Sequence, residues 1–247
     1  MDTSPLNGRV ALVTGASGGI GRAIAQLLAQ AGVDVAVGYG SHREPAESLA
    51  EELARTTGVR VTVVGGDLGD AGVPDQLVDA TERELGPVDV LVPAAGSGQR
   101  ALLEEVGLEL WQRTHLVNVT APFLLCRRLV PGMAERGFGR VLLVSSVAAF
   151  TGGIVGPHYA SSKAALHGLV HSLAPTYAGH GVTVNALAPA LIERTAMLPG
   201  NEEELAARVP VGRLGTPEEV ADLALAVLTN GYVTNQVIGI DGGMFPR

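Results

Sequence analysis

The sequence predicts an α/β chain: one doubly wound, parallel, seven-stranded sheet flanked by helices, spanning residues 1–247 as a single domain. Three observations predict it. Seven short apolar runs recur along the chain, longer segments of helical spacing separate them, and a glycine-rich turn joins the first run to the first helix.

The strand candidates are Arg9–Val13, Asp34–Val37, Arg60–Val64, Val88–Val92, Arg140–Ser145, Thr183–Leu187 and Gln236–Ile240. Each is continuously apolar rather than alternating, as strands covered on both faces are. Between them lie helical patterns at Ile20–Ala31, Pro45–Thr56, Val73–Leu85, about Leu110 to Arg136, Pro157–Tyr177 and Pro217–Leu228. Pro74 and Pro217 stand where a first helical turn tolerates proline. Pro175 stands near the end of its segment, where it predicts a kink or an early stop. Strand–helix–strand units of this kind close with right-handed crossovers. The least regular stretch, Glu193–Val209, contains Met197, Leu198, Pro199 and Gly200 and follows a strand end. Ligands bind outside the carboxyl ends of parallel strands, so it is expected to act as a substrate lid.

Composition narrows the function. Lys plus Arg number 17 and Asp plus Glu 25, a net charge of −8 that disfavours nucleic acid and anionic membranes. The one cysteine, Cys126, permits no internal disulfide and reads as a small apolar residue on a helix. Met1 to Arg9 lacks the charged-then-apolar pattern of a signal peptide, and no run reaches the roughly 18 apolar residues of a membrane span. A cytoplasmic protein is expected. The six histidines show no metal-ligand spacing, so no metal is expected.

The first strand runs directly into Thr14-Gly15-Ala16-Ser17-Gly18-Gly19-Ile20-Gly21, and a helix follows at once. Glycines at 15, 19 and 21 allow a tight turn, close backbone approach to a pyrophosphate and close packing of helix on strand. The free N–H groups and dipole of a helix start favour that anion. The spacing resembles the T-G-x-x-x-G-x-G pattern of the short-chain dehydrogenase/reductase family. The resemblance implies a Rossmann-type fold and a nicotinamide cofactor, and it extends over nearly the whole chain.

An acidic residue about 20 positions after such a turn would bond the NAD ribose 2′-hydroxyl. After the second strand this chain reads Tyr39-Gly-Ser-His-Arg43, without that acid, and Asp34 lies at the wrong end of the strand. Ser41, His42 and Arg43 suit a 2′-phosphate, so NADP(H) is favoured over NAD(H). A basic residue that the family often carries inside the turn is replaced by Gly18. Asp67, followed by Leu68, matches the family position that accepts from the adenine amino group.

Tyr159-Ala-Ser-Ser-Lys163 places a phenol and an ammonium one helical turn apart, on one face. A nearby ammonium is expected to lower the tyrosine pKa and fit it for proton transfer to a carbonyl oxygen. Ser146 precedes Tyr159 by the family's separation and can stabilise charge on that oxygen. By resemblance Asn118 is the fourth catalytic residue, holding a water linked to Lys163, and Lys163 also holds the nicotinamide ribose. The resemblance further places Ala95, Gly96, Pro189 and Ala190 against the cofactor, with Ile192 and Thr195 at the nicotinamide carboxamide. His158, beside Tyr159, reads as structural.

Three positions depart from the family pattern. Pro93-Ala94 replaces two amide residues, which puts the sheet edge and the adenosine contacts in question. Ala190 replaces a glycine, and Pro175-Thr176 stands where an acid is common. The segments 212–220 and 241–243 resemble 3-oxoacyl-carrier-protein reductases. The expected function is therefore NADP(H)-dependent carbonyl reduction of a small molecule, most readily a 3-oxoacyl thioester on CoA or a carrier protein. Arg127, Arg128 and Arg136 are candidates for meeting an acidic carrier, against the overall negative charge. The rivals are a polyketide-type ketoreductase, an NAD-dependent alcohol dehydrogenase, a nucleotide-sugar epimerase and a nucleotide-binding regulator without turnover. The resemblance also implies a homotetramer built through the helices near 110–136 and 157–177 and the last strand. A solution mass near the monomer's 25.3 kDa rules it out.

Overall fold

The computed structural model describes residues 5–195, 198 and 201–245. The sheet has seven strands: β1 (Val10–Thr14), β2 (Asp34–Tyr39), β3 (Val61–Gly65), β4 (Val90–Pro93), β5 (Gly139–Val144), β6 (Val182–Pro189) and β7 (Val237–Ile240). Their spatial order is β3-β2-β1-β4-β5-β6-β7, and every pair is parallel. The order reverses between β1 and β4, which opens a crevice at their carboxyl ends. This is the Rossmann-type sheet that the sequence predicts.

The helices are α1 (Gly19–Gln30), α2 (Arg43–Thr57), α3 (Val73–Leu85), α4 (Leu108–His115), α5 (Ala121–Glu135), α6 (Ala148–Thr151), α7 (Pro157–Tyr177), α8 (Glu202–Ala206) and α9 (Pro217–Thr229). They divide between the two faces of the sheet. Ala11, Val13, Val35 and Val37 pack with Ile24, Leu28, Leu49 and Val220 on one side. Val10, Leu12 and Ala36 pack with Leu77, Leu125, Leu166 and Val170 on the other. Successive strand residues thus feed two cores, which is why the strands read as unbroken apolar runs. Cys126 is buried in the second core, and burial pushes its thiol up to about 12, as an inert apolar residue.

Several expectations are corrected. The single helix from about Leu110 to Arg136 is two helices joined by a π-helical turn at Leu116–Thr120. α7 does not stop at Pro175; it runs on to Tyr177 and passes into a 3-10 turn at Ala178–His180. One proline two residues before a helix end forfeits a single backbone bond, which that position tolerates. Pro93 sits at the last residue of an interior strand, in register with Thr14, and β4 has ceased pairing with β5 by then. It therefore takes no ladder donor from β5. Of the lid stretch, Met197, Pro199 and Gly200 lie outside the described residues, as do Met1 to Ser4 of the amino terminus. No helix among the described residues is long and apolar enough to cross a membrane.

Candidate active site

The crevice is a cavity of about 1270 Å³. Its wall begins at the glycine turn. Gly15 has φ of 68°, and a Cβ there would stand 2.7 Å from the Ala95 backbone, so the turn lies directly against the end of β4. Thr14 Oγ1 accepts from the Ala95 amide at 3.2 Å and fixes that contact. A Cβ on Gly21 would stand 2.4 Å from the Gly15 carbonyl oxygen, so the helix start also needs glycine. α1 is preceded by Gly18, which offers no side-chain cap, and has no acid in its first turn. Its leading amides are left for an anion, and this uncapped glycine cradle fits a dinucleotide pyrophosphate.

Gly15, Ser17, Gly18, Gly19, Ile20, Gly21, Tyr39, Ser41 and His42 all line the cavity. So do Asp67, Leu68, Ala95, Gly96, Pro189, Ala190, Ile192 and Thr195. Arg43 is not among them: as the first residue of α2 it is exposed and pairs with Glu47 one turn on, at 2.7 Å. Asp34 is occupied at the far end of β2, where Arg60 binds it through backbone and side chain. Asp67 accepts from the Gly69 amide and from Arg113, at 2.9 and 2.6 Å. The guanidinium holds its carboxyl below the usual range, aided by that amide. Arg113 reaches over from α4, a contact that no sequence motif signalled.

Ser146, Tyr159 and Lys163 line the same cavity at the ends of β5 and α7. Ser146 Oγ accepts from the Ala148 amide at 3.1 Å, which settles its place at the start of α6. Lys163, the only lysine of the sequence, donates from Nζ to the Val144 carbonyl at 2.8 Å. Asn118 lies behind the cavity wall, buried in the π-helical turn. Its Oδ1 accepts from the Ser97 amide at 2.8 Å, and its Nδ2 donates to Ser97 O at 2.8 Å and Ser162 Oγ at 2.9 Å. Asn118 therefore clamps the loop after β4 to α7. Ser97 and Ser162 belong to this site and escaped sequence reasoning: Ser97 stands in no chemical motif, and Ser162, inside the stretch from Tyr159 to Lys163, meets its partner Asn118 only in the fold. His158 is fully buried, with Nε2 3.0 Å from Gln99 O, in keeping with a structural residue.

The expected lowering of the Tyr159 pKa is not found. Burial pushes the phenol up to about 12, against the opposing pull of the Ser146 hydroxyl. Lys163 Nζ is turned to the backbone and stands 5.7 Å from the centre of the tyrosine ring, so burial outweighs its charge. Burial likewise brings Lys163 down from 10.5 to about 8.

These shifts fix a pH dependence. Between pH 8 and 10.5 the unfolded chain binds a proton at Lys163 that the fold rejects, so stability rises with pH there. Cys126 and Tyr159 act oppositely above their ordinary values of 9.0 and 10.0, because the fold retains protons that the unfolded chain sheds. The urea midpoint of the cofactor-free protein should climb from about pH 8 to 9, level off, and fall above about 10. Lys163→Met should abolish the climb; an equal climb in that variant places its origin elsewhere.

Residues 9–206 match the family model described as short chain dehydrogenase. The chain is 37% identical over 245 residues to 3-oxoacyl-acyl-carrier-protein reductase of Aquifex aeolicus, covering 97% of this chain and 98% of that one. It is 35% identical to acetoacetyl-CoA reductase of Rhizobium meliloti, covering 96% and 98%. It is 34% identical to L-rhamnose 1-dehydrogenase (NAD(P)(+)) of Sphingomonas sp., covering 97% of each. A glycine cradle with Ser146, Tyr159 and Lys163 in one crevice, matched across the whole fold, leads to one conclusion: the chain belongs to the short-chain dehydrogenase family and is an NAD(P)-dependent oxidoreductase.

Proposed function

We propose that the protein reduces the ketone of a 3-oxoacyl thioester with NADPH. The observation that carries this reading is the convergence of Tyr159, Ser146 and Lys163 with the glycine turn on one cavity, whose remaining wall includes Ile154, Val155, Leu205 and Met244. The cradle and Tyr39 to His42 hold the cofactor, and the bound nicotinamide supplies hydride. Tyr159 holds its proton far above neutral pH and gives it to the ketone oxygen. Ser146 donates a hydrogen bond to the same oxygen as charge develops. Asn118 keeps the wall behind Lys163 in place, and Lys163 holds the ribose hydroxyls. α8 borders the substrate end through Leu205, which lines the cavity.

The preference for NADPH is supported by Ser41 and His42 in the wall and by the uncapped start of α2; it no longer draws on Arg43. The name of the Sphingomonas relative raises a sugar as second substrate class, which the apolar wall disfavours. Initial rates with acetoacetyl-CoA and L-rhamnose, each with both cofactors, decide between them. Acetoacetyl-CoA reduction is expected, with kcat/KM roughly tenfold higher for NADPH, the value of one charge-assisted contact. Equal or better use of NADH removes the 2′-phosphate reading alone. Turnover of the sugar and not the thioester overturns the substrate reading.

A further inference from the structure

Among the described residues four cationic side chains line the cavity: Lys163, Arg113, Arg194 and Arg208. Three are engaged. Lys163 donates to Val144 O, Arg113 holds Asp67, and Arg194 pairs with Glu193 and Glu218. The Arg208 guanidinium has no hydrogen bond or ion pair among the described residues and is exposed. Its backbone, in contrast, is fixed. Its amide donates to Leu205 O at 3.1 Å, and Leu205 and Val209 are both buried. Val209 packs where Gly242 leaves room, against the segment that brings Met244 and Phe245 to the cavity. The carboxylate on that segment, Asp241, already accepts from the Gly243 and Phe245 amides. A cation on an anchored backbone, facing a cavity whose nearby walls are Leu205, Met244 and Phe245, has an anion as its natural partner.

We propose that Arg208 is a specificity-determining residue that binds a phosphate carried by the substrate, at the end remote from the ketone. This rests on the thioester reading above. Acyl thioesters on CoA and on a carrier protein both arrive on an arm bearing such a phosphate, whereas a free sugar or a simple keto ester does not. Arg208 lies on the substrate side, beyond α8, and takes no part in the cofactor cradle at the glycine turn.

The test compares acetoacetyl-CoA, an acetoacetyl carrier protein and ethyl acetoacetate with the unaltered protein, Arg208→Gln and Arg208→Lys. The Gln variant should raise KM about tenfold for the phosphate-bearing substrates and leave ethyl acetoacetate and NADPH unchanged; Lys should recover part of the loss. The thioester that suffers more identifies the arm's source. An equal KM shift for ethyl acetoacetate, or no shift at all, overturns the proposal. If the unaltered protein reduces none of the three, the thioester reading fails. Calorimetry with 4′-phosphopantetheine then decides on Arg208 by itself. Binding weakened about tenfold by Arg208→Gln supports the site, and binding that is absent or unchanged by the substitution refutes it.

Discussion

Tyr159→Phe is expected to lower kcat toward the upper end of the 10²–10⁴-fold range that general acid–base catalysis spans. The reason is placement as well as chemistry. The phenol is 7% exposed, so bulk water cannot readily stand in for the lost proton donor. Ser146 remains to bind the ketone oxygen, but a serine hydroxyl without a base is a far poorer acid than a phenol. Lys163 is held at the Val144 carbonyl and does not reach across in its place. The substitution removes one oxygen from a ring that packs on Ala148 and Val155, so the fold should be little affected. Steady-state kinetics with an NADPH fluorescence titration separates the effects: kcat collapses while the cofactor dissociation constant stays within a few-fold. A Phe variant retaining more than a tenth of the activity would remove Tyr159 from the mechanism.

Gly21→Ala should damage the cofactor cradle itself. Its Cβ would lie 2.4 Å from the Gly15 oxygen and 2.8 Å from the Gly15 carbonyl carbon, both backbone atoms that no rotamer change can move aside. The helix start or the turn must shift, at a cost of roughly 1–3 kcal/mol in stability. A shift of that kind also misaligns the leading amides of α1, and NADPH affinity should fall about a hundredfold, some 2.7 kcal/mol. Gly18→Ala is the control for stability. Its φ of −170° is extended, and its Cβ would meet nothing within 4 Å, so its urea midpoint should match the unaltered protein. Equal destabilisation by the two substitutions would show that the close Gly21–Gly15 contact is not what the turn depends on.

Hydropathy carried the sheet well. All seven strands lie within two residues of their expected bounds, because two-sided burial imposes apolar runs that end where polar turns begin. The bounds of α3 and α7 agree to the residue. What hydropathy misses is hydrogen-bond register. The π-helical turn at Leu116–Thr120 changes which carbonyl each amide meets without changing the apolar pattern, and it is this turn that carries Asn118. Side-chain pairing was equally opaque. Arg43 has the right charge beside the ribose site, but Glu47, one helical turn along, captures it. Arg128 binds Asp79 and Glu82 on α3, and Arg136 binds Val88 O and Asp89, so neither stands ready for an acidic carrier. Arg127 instead stacks near Phe123. The protonation of Tyr159 was misjudged for a related reason: spacing on a helix reports proximity to Lys163, while burial, which dominates, is a property of the packed site.

Lys163 leaves the molecule with one side-chain amine. Reductive methylation with an isotopic label would therefore give a single side-chain resonance, and titrating it would read the acid constant of this one group directly. A lysine-specific protease likewise has one bond to cut, after Lys163, in the middle of α7 and in contact with β6. Cutting there requires α7 to open, so the cleavage rate times the local unfolding of the helix that presents Tyr159. Cofactor that grips Lys163 would slow both the label and the protease, and would register as a change at a single address in the chain.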